Sequence, residues 1–159
     1  MVHLQVLAPD DWQQWRTLRL LALEESPTAF GSTLAEWQGV GDGEERWRGR
    51  LTGVAYNVIA HMGDEDETVG MVSGGWNGSD VELMSLWVRP RARGHGVGDR
   101  LVQTVVQWAR GQQAWRVVLS VRDHNVSAIR LYRRHGFQAI GPSTESEPGS
   151  PETLFARRI

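Results

Sequence analysis

The sequence predicts a mixed α/β fold in which helices cover both faces of one mixed sheet. Candidate strands follow one another as hairpins in the middle of the 159-residue chain, and strands and helices alternate in its second half. The length suits one compact unit with its own hydrophobic core, so we expect a single domain over residues 1–159.

The first third of the chain predicts one strand and two helical regions. Residues 3–8 alternate weakly between apolar and polar side chains, and Pro9 ends this strand. Residues 12–23 place their tryptophans and leucines on one broad face, as in a helix packed against a core. A second helical region is expected over residues 33–51, interrupted by the glycines at 39–43, where a continuous helix is unfavourable.

The middle and the second half predict six further strands and two helices. Three strands follow in series at 54–61, 68–76 and 81–89, and Asn77-Gly78 is a strong hairpin signal. Apolar side chains recur at helical spacing over 96–110 and again over 125–135. The remaining strands are expected at 115–121, 137–140 and 153–156.

Composition excludes several classes of function. The formal net charge is −2, which provides no general attraction to nucleic acid, and we expect no nucleic-acid partner. No apolar run approaches the roughly 20 residues that span a bilayer, so we expect no membrane partner and a cytoplasmic protein. The chain has no cysteine, which removes a cysteinyl intermediate, and its five histidines are scattered along the sequence, which predicts no metal site.

The stretch LWVRPRARGHGVGDRL, residues 86–101, passes from a strand through a glycine-rich turn into an amphipathic helix. Gly94, Gly96 and Gly98 allow successive backbone amides to point inward at the helix N-terminus, where the helix dipole favours an anion such as a pyrophosphate. Nucleotide-binding loops share this physics. The lysine and hydroxyl expected after such a loop in nucleotide hydrolases are missing here, and the turn follows the third strand of a hairpin series rather than an N-terminal strand. These two departures argue against a nucleoside triphosphate and NAD.

These residues resemble the GNAT superfamily of N-acetyltransferases. The family signature Arg/Gln-x-x-Gly-x-Gly/Ala matches Arg93, Gly96 and Gly98, and the Val-x-Pro before it matches Val88 and Pro90. A second family segment matches a later set of residues, namely Asn125, Ala128, Leu131, Tyr132, Gly136 and Phe137. The resemblance implies a central, mostly antiparallel, twisted sheet of about seven strands that splays into a V, and it implies acetyl-CoA as co-substrate.

The resemblance also implies where the cofactor binds. Pantetheine would pair with strand backbone near Trp87 and Val88, and the amides of residues 93–98 would hold the pyrophosphate. This cofactor set comprises Trp87, Val88, Arg93, Gly94, His95, Gly96, Val97, Gly98 and Asn125. His95 is expected to offer its backbone amide rather than its ring, and Asn125 to cap its helix, contact the cofactor, or do both.

Two residues match positions that are catalytic in the family. Tyr132 would be the general acid that protonates the departing thiolate, and its alternative is a core tyrosine with a hydrogen-bonded hydroxyl. Glu82 would be the base that takes a proton from the amine, directly or through water; its alternative is an exposed carboxylate at a strand end. Ser85 is a weaker candidate that could order a water.

The sequence therefore predicts an N-acetyltransferase that moves the acetyl group of acetyl-CoA directly to a primary amine of a small molecule or peptide. The alternative is a binding module that holds acetyl-CoA or CoA as a sensor without turnover. Edge strands of such a sheet can pair between subunits, so the resemblance also makes a homodimer plausible.

Overall fold

The computed structural model describes residues 1–30, 32–144, 146 and 148–159, and it is built around one seven-stranded sheet. The strand order is β1-β2-β3-β4-β5-β7-β6. The strands are β1 (Val2–Val6), β2 (Tyr56–Met62), β3 (Glu67–Asn77), β4 (Asp80–Val88), β5 (Arg116–Arg122), β6 (Gln138–Pro142) and β7 (Glu152–Arg158).

Four α-helices accompany the sheet: α1 (Trp12–Glu25), α2 (Glu44–Gly53), α3 (Val97–Gly111) and α4 (Val126–Arg134). Short 3-10 turns lie at Pro9–Asp11, Ala35–Trp37, Gly39–Gly41 and Pro90–Ala92. None of the described helices combines the length and the apolar character needed to span a bilayer.

Helices pack on both faces of the sheet, which confirms the predicted layering. On one face, α3 and α4 bury a cluster that includes Val58, Ala60, Leu101, Val105 and Phe137. On the other face, α1 and α2 bury a second cluster; its fully buried members include Trp15, Leu18, Trp47, Ile59 and Met71. Alternate residues of β2 belong to different clusters because successive side chains of a strand point to opposite faces.

Strand pairing is antiparallel except between β4 and β5. The β3–β4 hairpin closes at the pair Asn77–Asp80, and Gly78 adopts a φ of 63°, so the Asn-Gly turn is confirmed. The mostly antiparallel sheet of seven strands thus agrees with the expectation from the family resemblance.

A bulge interrupts β4 before its end. Met71 pairs with Trp87 and Ser73 pairs with Met84, so two residues of β4, Ser85 and Leu86, oppose one residue of β3. Ser85 has a φ of 58°, which is unusual for a residue with a side chain. The bulge changes which face of the sheet the residues after it occupy.

The second predicted helical region is shorter than expected. An α-helix covers only Glu44–Gly53, and the residues before it form two 3-10 turns. Gly39 adopts a φ of 59°, which lies outside the helical region and ends any continuous helix from residue 33. The prediction of an interruption was right, whereas the prediction of helix before the glycines was wrong.

Candidate active site

The candidate active site is a cleft that opens where β4 and β5 separate. These parallel strands pair at only two positions, Val81 with Val117 and Glu82 with Val118. Beyond these pairs, Leu86, Trp87 and Val88 line the cleft from β4. Its volume of about 680 Å³ is within the range of sites for small molecules and cofactors.

The glycine turn forms one wall of this cleft. Gly94 and Gly96 have φ values of 80° and 81°, a region that a side chain disfavours, and Gly96 directly precedes α3. A Cβ on Gly98 would lie 3.1 Å from Leu131 Cδ2, so a glycine there lets α3 and α4 approach closely. The first amides of a helix have no partner within the helix, and they face an anion favourably. The turn therefore has the backbone geometry of a phosphate site.

Glu25, at the end of α1, bridges the glycine turn and strand β4 through hydrogen bonds. Its Oε2 accepts hydrogen bonds from Trp87 Nε1 at 2.9 Å and from Arg93 Nη2 at 3.0 Å. Arg93 Nε also donates to the carbonyl of Val88 at 2.9 Å. Burial alone would raise the pKa of Glu25, but the hydrogen bonds from Ser26, Trp87 and Arg93 together lower it, so this carboxylate stays ionised.

The guanidinium of Arg93, a residue that the sequence placed in the cofactor set, thus bonds to Glu25 and Val88. Glu25 is not among the site residues that the sequence predicted. Its bridging position depends on the way α1 ends above β4, which no local pattern reveals.

Helix α4 forms the opposite wall. Asn125 caps it, since its Oδ1 accepts from the backbone N–H of Ala128 at 3.3 Å, and it also lines the cleft. Ala128 and Leu131 line the same wall. Both roles that were open for Asn125 are therefore compatible with its position.

Tyr132 lies in the core cluster next to this wall and is only 7% exposed. Its ring packs edge-on against Phe137, with 5.9 Å between the centroids. Burial raises the pKa of its hydroxyl. Within the described part of the chain that hydroxyl makes no hydrogen bond, so it differs from a core tyrosine with a satisfied polar end.

A second pocket of about 440 Å³ contains Glu82 and adjoins the cleft, since Ala29 and Phe30 line both. Ser85 also lines it, and Arg50 Nη2 donates to its Oγ at 3.2 Å. Glu82 is half-buried and has interactions of its own, so it differs from an exposed carboxylate at a strand end.

Three arginines of this pocket were missed from the sequence: Arg19, Arg50 and Arg122. A signal was available for the first two. Arg19 follows Trp15 by four residues on the buried face of α1, and Arg50 follows Trp47 by three on that of α2. A cation on an apolar helix face is a better site candidate than one on a solvated face.

A scan against family models decides the family. The model of the acetyltransferase (GNAT) family matches residues 12–137, which include the glycine turn and α4. The chain belongs to the GNAT family. The resemblance found in the sequence motifs is thereby confirmed over most of the chain.

Curated relatives of this GNAT chain are similar over shorter stretches. A thialysine N-ε-acetyltransferase of Mus musculus is 35% identical over 72 residues, which are 45% of the chain and 41% of that relative. A spermine/spermidine N(1)-acetyltransferase of Bacillus subtilis is 32% identical over 96 residues, 60% of the chain and 57% of that relative. The matched stretch thus spans roughly half of these relatives or less.

The GNAT fold also agrees with solved structures. The PaiA N-acetyltransferase of Thermoplasma acidophilum, solved in complex with coenzyme A, superposes with a TM-score of 0.76 at 11% identity. The superposition covers 100% of the chain and 99% of that structure. At this identity the likeness establishes the fold alone.

One group of side chains in this GNAT chain contradicts the reason given for expecting no metal. His3 on β1 and His61 on β2 are not scattered: they are paired in register, and their rings stack at 4.8 Å between centroids. Asp66 joins them, with Oδ1 3.0 Å from His3 Nε2. However, both ring nitrogens of His61 already contact protein oxygens, Gln5 Oε1 and the Asp66 carbonyl.

Proposed function

We propose that the chain is an N-acetyltransferase that transfers the acetyl group of acetyl-CoA directly to a primary amine of a small molecule or peptide, through a ternary complex. One observation carries the proposal: the positive-φ glycine turn at the N-terminus of α3 opens onto the cleft between β4 and β5. The two curated relatives described above are named for amine acceptors, which supports an amine here.

The described residues fit acetyl-CoA. In the proposal the backbone amides of Gly94, His95, Gly96, Val97 and Gly98 face the pyrophosphate, and the backbone of Trp87 and Val88 pairs with the pantetheine arm. Arg93 fixes the turn through Glu25 and Val88, so its contribution to binding is largely one of positioning. Asn125 lies at the cleft edge with its amide nitrogen available to the cofactor.

Acetyl-CoA supplies the activated carbonyl of a thioester. In the transfer a bond forms between the amine nitrogen and that carbon, the carbon–sulfur bond breaks, and CoA leaves as a thiol. The backbone N–H near Val88 would stabilise the negative charge that develops on the carbonyl oxygen.

Two side chains of the chain handle protons in this proposal. Glu82, directly or through a water ordered with Ser85, takes a proton from the acceptor amine. Tyr132 donates its proton to the departing sulfur. Because burial raises the pKa of Tyr132 above its ordinary value, the hydroxyl remains protonated at neutral pH and is ready to donate.

A second candidate function is a sensor that binds acetyl-CoA without turnover. The observation that favours it is the position of Tyr132 in the core cluster. Among the described residues, Tyr132 is not one of those that line the cleft. Catalysis requires that the hydroxyl reach the sulfur of the bound cofactor.

One experiment separates the two functions. Thiol release from acetyl-CoA would be measured across polyamines, aminoglycosides, amino acids and peptide N-termini, with acetyl-CoA affinity measured by calorimetry. We expect turnover, and we expect Tyr132→Phe to lower kcat about 10²- to 10⁴-fold without weakening acetyl-CoA binding. Binding without turnover of any acceptor would favour the sensor, and an unchanged kcat in Tyr132→Phe would refute the assigned acid.

A homodimer and a cytoplasmic location complete the proposal. The sheet ends in β1 and β6, whose exposed Val6 and Ile140 offer apolar contacts for pairing between edge strands. Light scattering coupled to gel filtration would test the dimer, and cell fractionation would test the location.

A further inference from the structure

The pocket that contains Glu82 has an unusual arrangement of positive charge. Arg19 from α1, Arg50 from α2 and Arg122 from β5 all line it. Arg19 is only 8% exposed, so the residue is more than nine-tenths buried. Its contact in the protein is with the ring of Phe30, 4.5 Å from the guanidinium carbon, and its Nη1 is buried without a hydrogen-bond partner among the described residues.

The other two arginines donate hydrogen bonds to neutral groups. Arg50 donates to Asn57 Oδ1 at 3.0 Å and to the hydroxyls of Ser73 and Ser85 at 3.2 Å. Arg122 donates to Ser150 Oγ at 2.6 Å and to the carbonyl of Phe30 at 3.0 Å, and its buried Nε has no partner in the described part of the structure.

Two buried donors of this pocket, Arg19 Nη1 and Arg122 Nε, therefore lack a hydrogen-bond acceptor among the described residues. Burial, with some repulsion from Arg50, lowers the pKa of Arg19 to about 10, and burial lowers that of Arg50 to about 10. Both guanidinium groups remain cationic at neutral pH. A buried cationic donor without an acceptor costs free energy, and a bound anion that supplies hydrogen-bond acceptors relieves this cost.

We propose that the three arginines bind the carboxylate of the acceptor, so that the substrates are α-amino acids or other short amines that carry a carboxylate. This inference rests on the proposed function. The planar guanidinium fork matches a carboxylate in bidentate geometry. Glu82 and Glu152 line the same pocket, so its opposite charges complement an amine and a carboxylate on one molecule, whereas a doubly charged phosphate would be repelled.

The position of the pocket suits this role. Ala29 and Phe30 separate it from the cofactor cleft and line both. A carboxylate held at Arg19 therefore keeps the rest of a short acceptor beside the cleft, with its amine near Glu82. The arginines would act as binding groups that select the acceptor, and they would take no part in the proton transfers.

The test compares acceptors that differ only in the carboxylate. The kcat/KM of each amino acid would be measured against that of the amine left by its decarboxylation, for example lysine against cadaverine. We expect kcat/KM to be about 10- to 100-fold higher for each amino acid than for its decarboxylated amine, which is the factor that one charged hydrogen-bonded pair provides. β-Alanine, phosphoethanolamine and propylamine form a second series that separates a carboxylate from a phosphate.

Variants connect the preference to the pocket. Arg19→Gln should lower kcat/KM for amino acids by a similar factor. The variant should leave unchanged both kcat/KM for the decarboxylated amines and the affinity for acetyl-CoA. Arg19→Lys should retain part of the preference because it retains the charge. Arg110→Gln, which changes an exposed arginine on α3, is the matched control and should change nothing. The unchanged acetyl-CoA affinity also shows that each variant is folded.

Three outcomes would overturn the proposal. The first is an equal kcat/KM for each amino acid and its decarboxylated amine, and the second is a higher kcat/KM for phosphoethanolamine than for β-alanine. The third is an equal loss of kcat/KM for amino acids and for decarboxylated amines in Arg19→Gln. If no amine reacts, the proposed function fails, and calorimetry on the CoA-loaded protein decides the pocket separately. N-acetylglycine should then bind at least about 10-fold more tightly than N-methylacetamide, with the difference lost in Arg19→Gln; equal binding would refute the anion site.

Discussion

Gly96 shows how strongly one residue constrains the candidate cofactor site. Its φ of 81° lies immediately before α3, where a Cβ is disfavoured by about 1–2 kcal/mol. We expect Gly96→Ala to lose roughly this much free energy of unfolding in urea denaturation. We also expect it to weaken acetyl-CoA binding in calorimetry, because relaxation of the turn would redirect the first amides of the helix.

Gly111 provides the control for this prediction, because it ends the same helix without a positive φ and has open space around it. Gly111→Ala should stay within about 0.5 kcal/mol of the wild-type stability and bind acetyl-CoA normally. Wild-type affinity in Gly96→Ala would mean that the turn does not hold the cofactor.

At the scale of the element, Asn125 links the stability of α4 to the cleft. Asn125→Ala removes the cap of the helix and should lower the free energy of unfolding by about 1 kcal/mol. Asn125→Asp retains an acceptor at a helix N-terminus, where negative charge is favourable, so stability should be preserved. The same carboxylate would repel the phosphates of acetyl-CoA, and its affinity should fall.

Denaturation and calorimetry on both variants would test this pair of effects. If Asn125→Asp binds acetyl-CoA as tightly as wild type, then the residue serves the helix alone.

Asp42 connects α1 with the start of α2. It accepts a bidentate pair from Arg16, at 2.6 Å to each oxygen, and a further bond from Trp47 Nε1 at 2.8 Å. The hydrogen bonds from Arg16 and then Trp47 lower its pKa from 3.8 to about 2. A lowered pKa in the folded state stabilises the protein above the unfolded value, and this stabilisation is lost as the pH falls through about 2.

We therefore expect Asp42→Asn to reduce the free energy of unfolding at neutral pH and to narrow its gap to wild type between pH 4 and about pH 2. Urea denaturation across this range measures the gap. Asp64→Asn, in the exposed loop before β3, is the control and should follow the wild-type curve. A gap between Asp42→Asn and wild type that stays constant down to pH 2 would contradict the assignment.

The elements differ in how far the sequence predicts them. Helix α3 was predictable because its apolar spacing, glycine turn and family motif all agree, and the same is true of α4. The region before α2 was not, because the positive φ of Gly39 turns a helix-like composition into 3-10 turns. The arginine pocket could not be predicted as a unit, since Arg19, Arg50 and Arg122 meet only through the packing of α1, α2 and β5.

For the whole molecule, binding of acetyl-CoA should increase the free energy of unfolding. If acetyl-CoA binds only the folded protein, a concentration 100 times its Kd adds about 2.7 kcal/mol to the free energy of unfolding. For a chain of this size that predicts a rise in Tm of about 5–10 °C in scanning calorimetry. Dephospho-CoA and pantetheine alone would serve as graded controls, and an unchanged Tm with acetyl-CoA would contradict the proposed site.

The bulge at Ser85 and Leu86 determines which side chains of β4 face each layer of helices. Before it, Val81 and Leu83 point toward α3, and after it Leu86 and Val88 do so, while Trp87 joins the cluster under α1. An uninterrupted strand would keep odd-numbered side chains on one side and turn Trp87 away from Glu25. A single inserted position thus allows one strand to turn Glu82, before the bulge, and Trp87, after it, toward the same layer of helices.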